Sequence, residues 1–287
     1  MQIKKWVVLF FLAVSFSGMA QMERDLAGVD YINIKNGNAE NGVGFERCNF
    51  RFTLPKRLKT EGSVLLNKID FSRTNISYDI VPDLGGEIEQ FNSITYTLGY
   101  VRPIKNDWTI VVMLSPNISS NFESNIKLKD VNLFSMLMFS KSLKPNLKLN
   151  LGMRYATTLG RPFPLPMFSM MWKANDKWTF NLGFPRIDAQ YQLSKRTLIS
   201  TDLFMAGDNF SLSDDLYHNE AKIDNISMMN VGGGVKISQK LTKFLKLNLS
   251  SGYTFYRKFQ FSDGNDSVID YNLDNNLYLK VGLSIGR

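Results

Sequence analysis

The closing stretch of the chain, Leu277–Arg287 (LYLKVGLSIGR), constrains the fold more than any other segment. Leu277, Leu279, Val281, Leu283 and Ile285 have one parity, and Tyr278, Lys280, Gly282, Ser284 and Gly286 have the other. Successive side chains of a strand point to opposite faces, so this segment has one continuous aliphatic face and one polar or small face. The pattern recurs. Leu147, Leu149, Leu151, Met153 and Tyr155 alternate with Lys148, Asn150, Gly152 and Arg154. Similar alternation runs through Ile94–Tyr100, Trp178–Phe184, Ile187–Leu193 and Leu245–Phe255. No segment of comparable length sustains a helical period.

The first twenty residues read as an export signal. Lys4 and Lys5 form a positive start, Trp6–Phe16 an apolar run, and Gly18 and Ala20 the small residues before a cut ahead of Gln21. The apolar run is short for a spanning helix, which needs about 20 such residues. Removing the leader takes two lysines and no acids from the formal charge of +8, leaving a mildly basic chain. No basic run suited to nucleic acid is present. The single cysteine, Cys48, cannot form an internal disulfide, so the architecture itself must stabilise an exported fold. A mean hydropathy of −0.15 suits a barrel in which alternate residues face lipid.

Connections of two kinds take turns. Short polar turns are expected near Lys105–Asp107, Lys144–Asn146, Ala174–Lys177, Ser194–Arg196 and Gln239–Lys243, with Lys56–Gly62 a longer member of that class. Longer polar stretches fall near Val81–Gln90, Ser115–Lys127, Thr157–Pro166, Ala206–Asp224 and Ser262–Asp270. Phe184–Arg186 is the exception, an outer connection that is very short. Alternation, export and loop asymmetry together predict an all-β, up-and-down antiparallel transmembrane barrel. Counting from Val29 gives about fourteen strands, with twelve as the alternative. The first strand, Val29–Ile34, is weak. Val64–Ile80 changes phase, as at a bulge or a misplaced boundary. In Val131–Ser140 the inner face holds Phe134, Met136 and Met138. Tyr100, Trp108, Trp172 and Trp178 have outward parity near short turns, where an aromatic girdle would sit.

Inward parity collects basic groups, Arg47, Arg51, Lys148, Arg154, Arg186, Lys246 and Lys280, against Asp188 and Asp202. Charge inside a narrow barrel must be hydrated or paired. Two readings follow: a wet lumen whose field favours anions, or a lumen filled by its own paired side chains. His218, the one histidine, lies near Ser211, Ser213, Asp214, Asp215 and Glu220, but no nucleophile-elbow pattern accompanies it, so no enzyme is expected. The acids between Asp208 and Asp224 match no known metal-loop spacing. Gly232–Gly234 lacks the Gly-Lys-Ser/Thr of a phosphate loop and reads as a bend or a close approach inside a strand. Gly160–Pro166 (GRPFPLP) reads as a stiff loop.

The closing residues also resemble the assembly signal of outer-membrane barrels: Lys280 as its polar residue, Gly282 two on, and hydrophobic Ile285, with Arg287 where a terminal aromatic is usual. The resemblance implies docking on the barrel-assembly machinery. The Met19–Gln21 cleavage region, the Gly160–Pro166 segment and the WTFNLGFP stretch Trp178–Pro185 together resemble an outer-membrane β-barrel family of Bacteroidota, a domain family of unknown function. It implies location and fold and supplies no substrate. The expectation is a leader (1–20) and one barrel domain (21–287) in the bacterial outer membrane. Outer-membrane lipids surround it, and it takes no cofactor, metal or nucleic acid. Its role is passage of a small solute. The alternative is a structural or surface-interaction barrel with binding outer loops, and an outer-membrane lipid-acting enzyme ranks below both.

Overall fold

The computed structural model describes residues 25–36, 42–60, 62–80, 84, 88–264 and 266–286. The leader and Arg287 lie outside these residues. The chain runs up and down as β1 (Asp25–Ile34), β2 (Val43–Arg57), β3 (Val64–Tyr78), β4 (Gln90–Pro103) and β5 (Trp108–Ser120). After one 3-10 turn (Leu128–Asp130) come β6 (Val131–Lys144), β7 (Leu147–Ala156), β8 (Phe163–Lys173), β9 (Trp178–Phe184) and β10 (Arg186–Gln192). The last five are β11 (Thr197–His218), β12 (Ala221–Lys240), β13 (Leu245–Asp263), β14 (Asp266–Asn272) and β15 (Leu277–Gly286).

Each strand through β13 pairs antiparallel with its sequence neighbours, and β15 pairs with both β13 and β1. Fourteen strands therefore close a ring, and β14 is a short flap hydrogen-bonded to the outer end of β13. Closure pairs every strand of the ring on both sides over part of its length, which meets most of what a bilayer demands of backbone polar groups. Alternation sets the faces. In β15 the five aliphatics are exposed, whereas Tyr278 and Ser284 are 5% and 1% exposed. Exposed Phe50, Phe52, Ile69, Ile94, Leu137, Leu151, Phe168, Leu182, Val235 and Leu249 continue the band round the ring. Water would not tolerate an apolar belt of this size, and hydrocarbon covers it.

Several expected features move. The first strand starts at Asp25 rather than Val29 and pairs along its length with β2 and β15. No bulge interrupts β3, whose register with β2 and β4 is unbroken. Its apparent phase change arises because its even positions face inward throughout and are apolar at both ends. Val64 and Leu66 pack with Val101 and Val111 at one end, and Ile76 joins a larger cluster at the other. The expected loop Ala206–Asp224 is mostly strand: β11 and β12 run 22 and 20 residues to a tight turn at Asn219 and Glu220, both with positive φ. Much of Ser262–Asp270 is likewise strand, and half of the expected loop Gly160–Pro166 belongs to β8.

Candidate functional site

The inward positions form a layered lumen. Its middle is polar. Asp30, 5% exposed, receives Lys280, Arg51 (3.5 Å) and the Asn49 amide (3.3 Å), which joins β15, β1 and β2. Lys246 reaches Asp25 at 2.9 Å, across β15 from β13 to β1. Arg186 bonds Asp202 at 2.5 Å, and Asp188 accepts from Asn181 (2.8 and 2.7 Å) and Gln190 (2.7 Å). Arg47 donates to Thr74 (2.8 Å) and pairs with Asp208 (2.7 Å). Short polar side chains complete the belt: Thr97 with Ser115 at 2.9 Å, Asn117 with Thr95 at 2.8 Å, and Asn150 with Ser169 at 2.9 Å. A buried charge is tolerated when such partners surround it.

β7 differs. Lys148 and Arg154 also point inward, yet among the described residues neither has a carboxylate partner. Arg154 is exposed and Lys148 half-buried. Around them the wall is apolar. Registers place Met136 beside Arg154, Met138 and Met167 on either side of Gly152, and Met171 beside Lys148. A Cβ on Gly152 would stand 2.3 Å from the Leu137 carbonyl oxygen, so the neighbouring strand backbone occupies that space. The lumen thus has one ion-paired wall and one methionine wall with two cations that have no carboxylate partner among the described residues. Seven inward cations were legible from parity. Their partners Asp25, Asp30 and Asp208 were not identified, although the parity of Asp30 against Val29 and Tyr31, and of Asp208 against Asp202, was available.

A dome closes the outer end. β11 and β12 are about twice the roughly 9–11 residues that a spanning strand needs. The outer part of β11 leaves the wall and meets β5, six strands away on the nearer side, through a parallel pairing of Ser211 with Ser120. The Ser213 hydroxyl lies 3.2 Å from that of Ser120, its amide donates to Asn121 at 2.9 Å, and Lys127 donates to its carbonyl at 2.6 Å. Beneath this bridge Phe210, Leu212, Ile223, Ile226, Phe259 and Phe261 are 0–1% exposed and pack on inward Ile34, Phe45, Ile76 and Phe91 of the first four strands. A register shift between Val231 and Gly232 leaves both Phe255 and Tyr256 outside and turns Arg257, Phe259 and Phe261 inward. Arg257, 2% exposed, donates to the Val43 carbonyl at 2.8 Å and ties the dome to β2.

The remaining candidates fall as follows. Tyr100, Trp108, Trp172 and Trp178 lie on the outer face at the short-turn end; Trp172 and Trp178 stack on Phe180 at 5.6 and 5.7 Å. Of the closing signal, Lys280 binds Asp30, Gly282 pairs opposite Asp30, and Ile285 is exposed on the outer face. Asp208, Asp214 and Asp224 pair with Arg47, Lys127 and Lys222, and among the described residues no three metal-ligating side chains converge. The His218 Nε2 lies 3.2 Å from the Asn219 amide at the hairpin tip, while the Ser213 hydroxyl is engaged in the β5 bridge. Gly232–Gly234 sit in β12, where a Cβ at Gly234 would stand 2.4 Å from the Ser251 carbonyl oxygen.

This architecture defines a transmembrane β-barrel of the outer-membrane type, closed above a polar lumen. The chain belongs to the family described as Domain of unknown function (DUF6268), which matches residues 71–286. No curated protein matches it. Among solved structures it is similar to the KdgM porin at 12% identity, over 91% of this chain and 99% of that one, with a TM-score of 0.38. An outer membrane channel from Pseudomonas putida F1 matches at 10% identity, over 90% and 94%, with a TM-score of 0.47. Outer membrane phospholipase A from Escherichia coli matches at 14%, over 91% and 96%, with a TM-score of 0.37. Each is a likeness of barrel architecture.

Proposed function

We propose that the protein is a gated outer-membrane channel for a small solute, exported with removal of residues 1–20 and inserted by the barrel-assembly machinery through its closing strand. The observation that carries the reading is the pair of inward cations on β7, exposed Arg154 and half-buried Lys148, which among the described residues have no carboxylate partner. A purely structural barrel gains nothing from two inward cations held on one strand without counter-charge. A permeating anion supplies the missing counter-charge, and weak, repeated sites of that kind are what passage requires.

The dome supports gating rather than free diffusion. The reading is non-enzymatic: Ser213 spends its hydroxyl on the β5 bridge, and His218 contacts the neighbouring asparagine. Planar-bilayer recording with a KCl gradient tests the proposal. Expected are channels that open intermittently, with a reversal potential displaced toward that of chloride. A silent barrel that is correctly folded by heat-modifiable gel mobility would refute the channel, and cation selectivity would refute the anion bias.

A further inference from the structure

The wall is not of uniform height. β9 and β10 have seven residues each, against the roughly 9–11 that a spanning strand needs. Trp178, the first residue of β9, lies at the short-turn end, so the Phe184–Arg186 turn at the other end stops within the hydrocarbon layer. Pairing of β8 with β9 ends at Phe168 opposite Phe184, and pairing of β10 with β11 at Arg186 opposite Phe204. Above that level β8 (Phe163–Met167) and β11 face each other without a strand between them, and no β8–β11 ladder is formed among the described residues. At the sill the two strand axes are three strand spacings apart, about 14 Å, and the gap narrows from there to contact at Gly207, three residues past Phe204, where a Cβ would stand 2.3 Å from the Thr157 carbonyl oxygen. The top is shut. The Thr157 hydroxyl donates to the Gly207 carbonyl at 3.3 Å, and the Asn209 amide donates to the Gly160 carbonyl at 3.3 Å. The opening is therefore a window with a closed lintel.

The β8 edge suits such a window. Pro164 and Pro166 stand opposite Tyr155 and Met153 on β7. Proline has no N–H, so these must be the positions that do not hydrogen-bond to β7, and both ring nitrogens face the gap. Two donors that an open edge would otherwise strand in hydrocarbon are thereby absent. Just inside stand the methionine wall and exposed Arg154, paired in register with Leu165.

We propose that this window is a side entrance between the outer leaflet and the lumen, taken by an amphiphile with an apolar chain and one anionic head group. The chain lies on Met136, Met138 and Met167, and the head meets Arg154. This rests on the membrane placement and channel reading above and names the class of solute.

The test uses the full barrel in liposomes carrying a small fraction of a diazirine-bearing alkyl sulfonate, with peptide mapping after irradiation. Expected is label on inward Met136 and Met167 as well as on the outer belt at Leu151 and Phe168. Label confined to the belt would overturn the entrance. A variant with two residues added to each of β9 and β10, shown to fold by heat-modifiable mobility, is expected to lose at least ten-fold of the inward label and keep the belt label; unchanged inward label would overturn the proposal. The matching alkylammonium probe and Arg154→Gln are each expected to lower inward labelling about ten-fold, and equal labelling would remove the anionic preference. KCl conductance of the same preparation reports on the channel separately. Conductance without inward label sinks the window alone, and inward label without conductance sinks the conducting pore alone.

Discussion

Phe210→Ala should unlatch the dome while leaving the wall intact. Phe210 is 1% exposed, and its ring lies 4.8 Å from that of Phe91, tilted by 33°, so it joins the outer part of β11 to the inner face of β4. Neither ring belongs to the lipid belt. Truncating a fully buried phenylalanine costs about 3–5 kcal/mol, of which an aromatic pair accounts for roughly 0.5–1.5. The fourteen-strand ladder does not depend on this contact, so the loss falls on the equilibrium between a docked and a lifted dome. Even about 3 kcal/mol is more than a hundred-fold in that equilibrium, since about 1.4 kcal/mol is ten-fold. Single-channel recording at fixed voltage reads the result directly. Open probability should rise by about two orders of magnitude from a low wild-type value with unchanged unit conductance. Phe91→Ala should act in the same direction, and the double variant should fall short of the product of the two effects, because the residues share one contact. An open probability that does not change, with the barrel folded, would refute the claim that this apolar core is the latch.

Other expectations follow from the same geometry. Lys148→Gln with Arg154→Gln should move the reversal potential in a KCl gradient toward that of potassium, whereas Arg186→Gln, whose partner Asp202 stays behind, should move it further per charge removed. Lys280→Met should destabilise the barrel by about 1.5–3 kcal/mol, the worth of a hydrogen bond to a charged group, since Asp30 is 5% exposed but keeps Arg51 and Asn49; urea titration followed by gel mobility measures it. Gly152→Val should abolish assembly of the folded band on a gel, because its Cβ would collide with the Leu137 carbonyl. Outside the membrane, the hydrogen bond and charge of Asp215 raise the pKa of Lys222 above the ordinary lysine value of 10.5. A lysine raised by folding contributes its stabilisation fully below the unfolded value and loses it as pH rises through the folded one. Carbon-13 lysine NMR should therefore show Lys222 titrating above 10.5.

Much of the wall was legible because strand parity is a two-state signal repeated over many residues. The five aliphatics of β15, the alternation of β7 and the short turns each announced themselves. The dome was not legible, because its inward residues are apolar. Phe210, Leu212, Phe259 and Phe261 break the rule that a barrel's interior is polar, and a change of rule reads in sequence as a loop or a slipped register. The same cause misled the reading of β3, where Val64 and Ile76 face inward in unbroken register. The inward cations could be placed by counting, but the partners of Arg47, Lys246 and Lys280 lie many strands away in sequence. Arg47 and Asp208 meet only after the outer part of β11 has crossed the mouth. The very short Phe184–Arg186 connection is plain in the sequence, but the low wall it makes depends on the lengths of β9 and β10 on either side.

The contacts of Asp30 and Asp25 bear on how the cylinder comes to have its size. Lys280 of the last strand meets Asp30 of the first, and Lys246 reaches past that strand to Asp25. A slip of one rung during insertion would thrust a charged side chain into the hydrocarbon, and a slip of two would leave an acid stranded without its counterpart. A ring sealed one hairpin early would bring neither lysine within reach. The clasp where beginning meets end thus works as a keyed fastening that rejects a wrong stagger before the cylinder is committed.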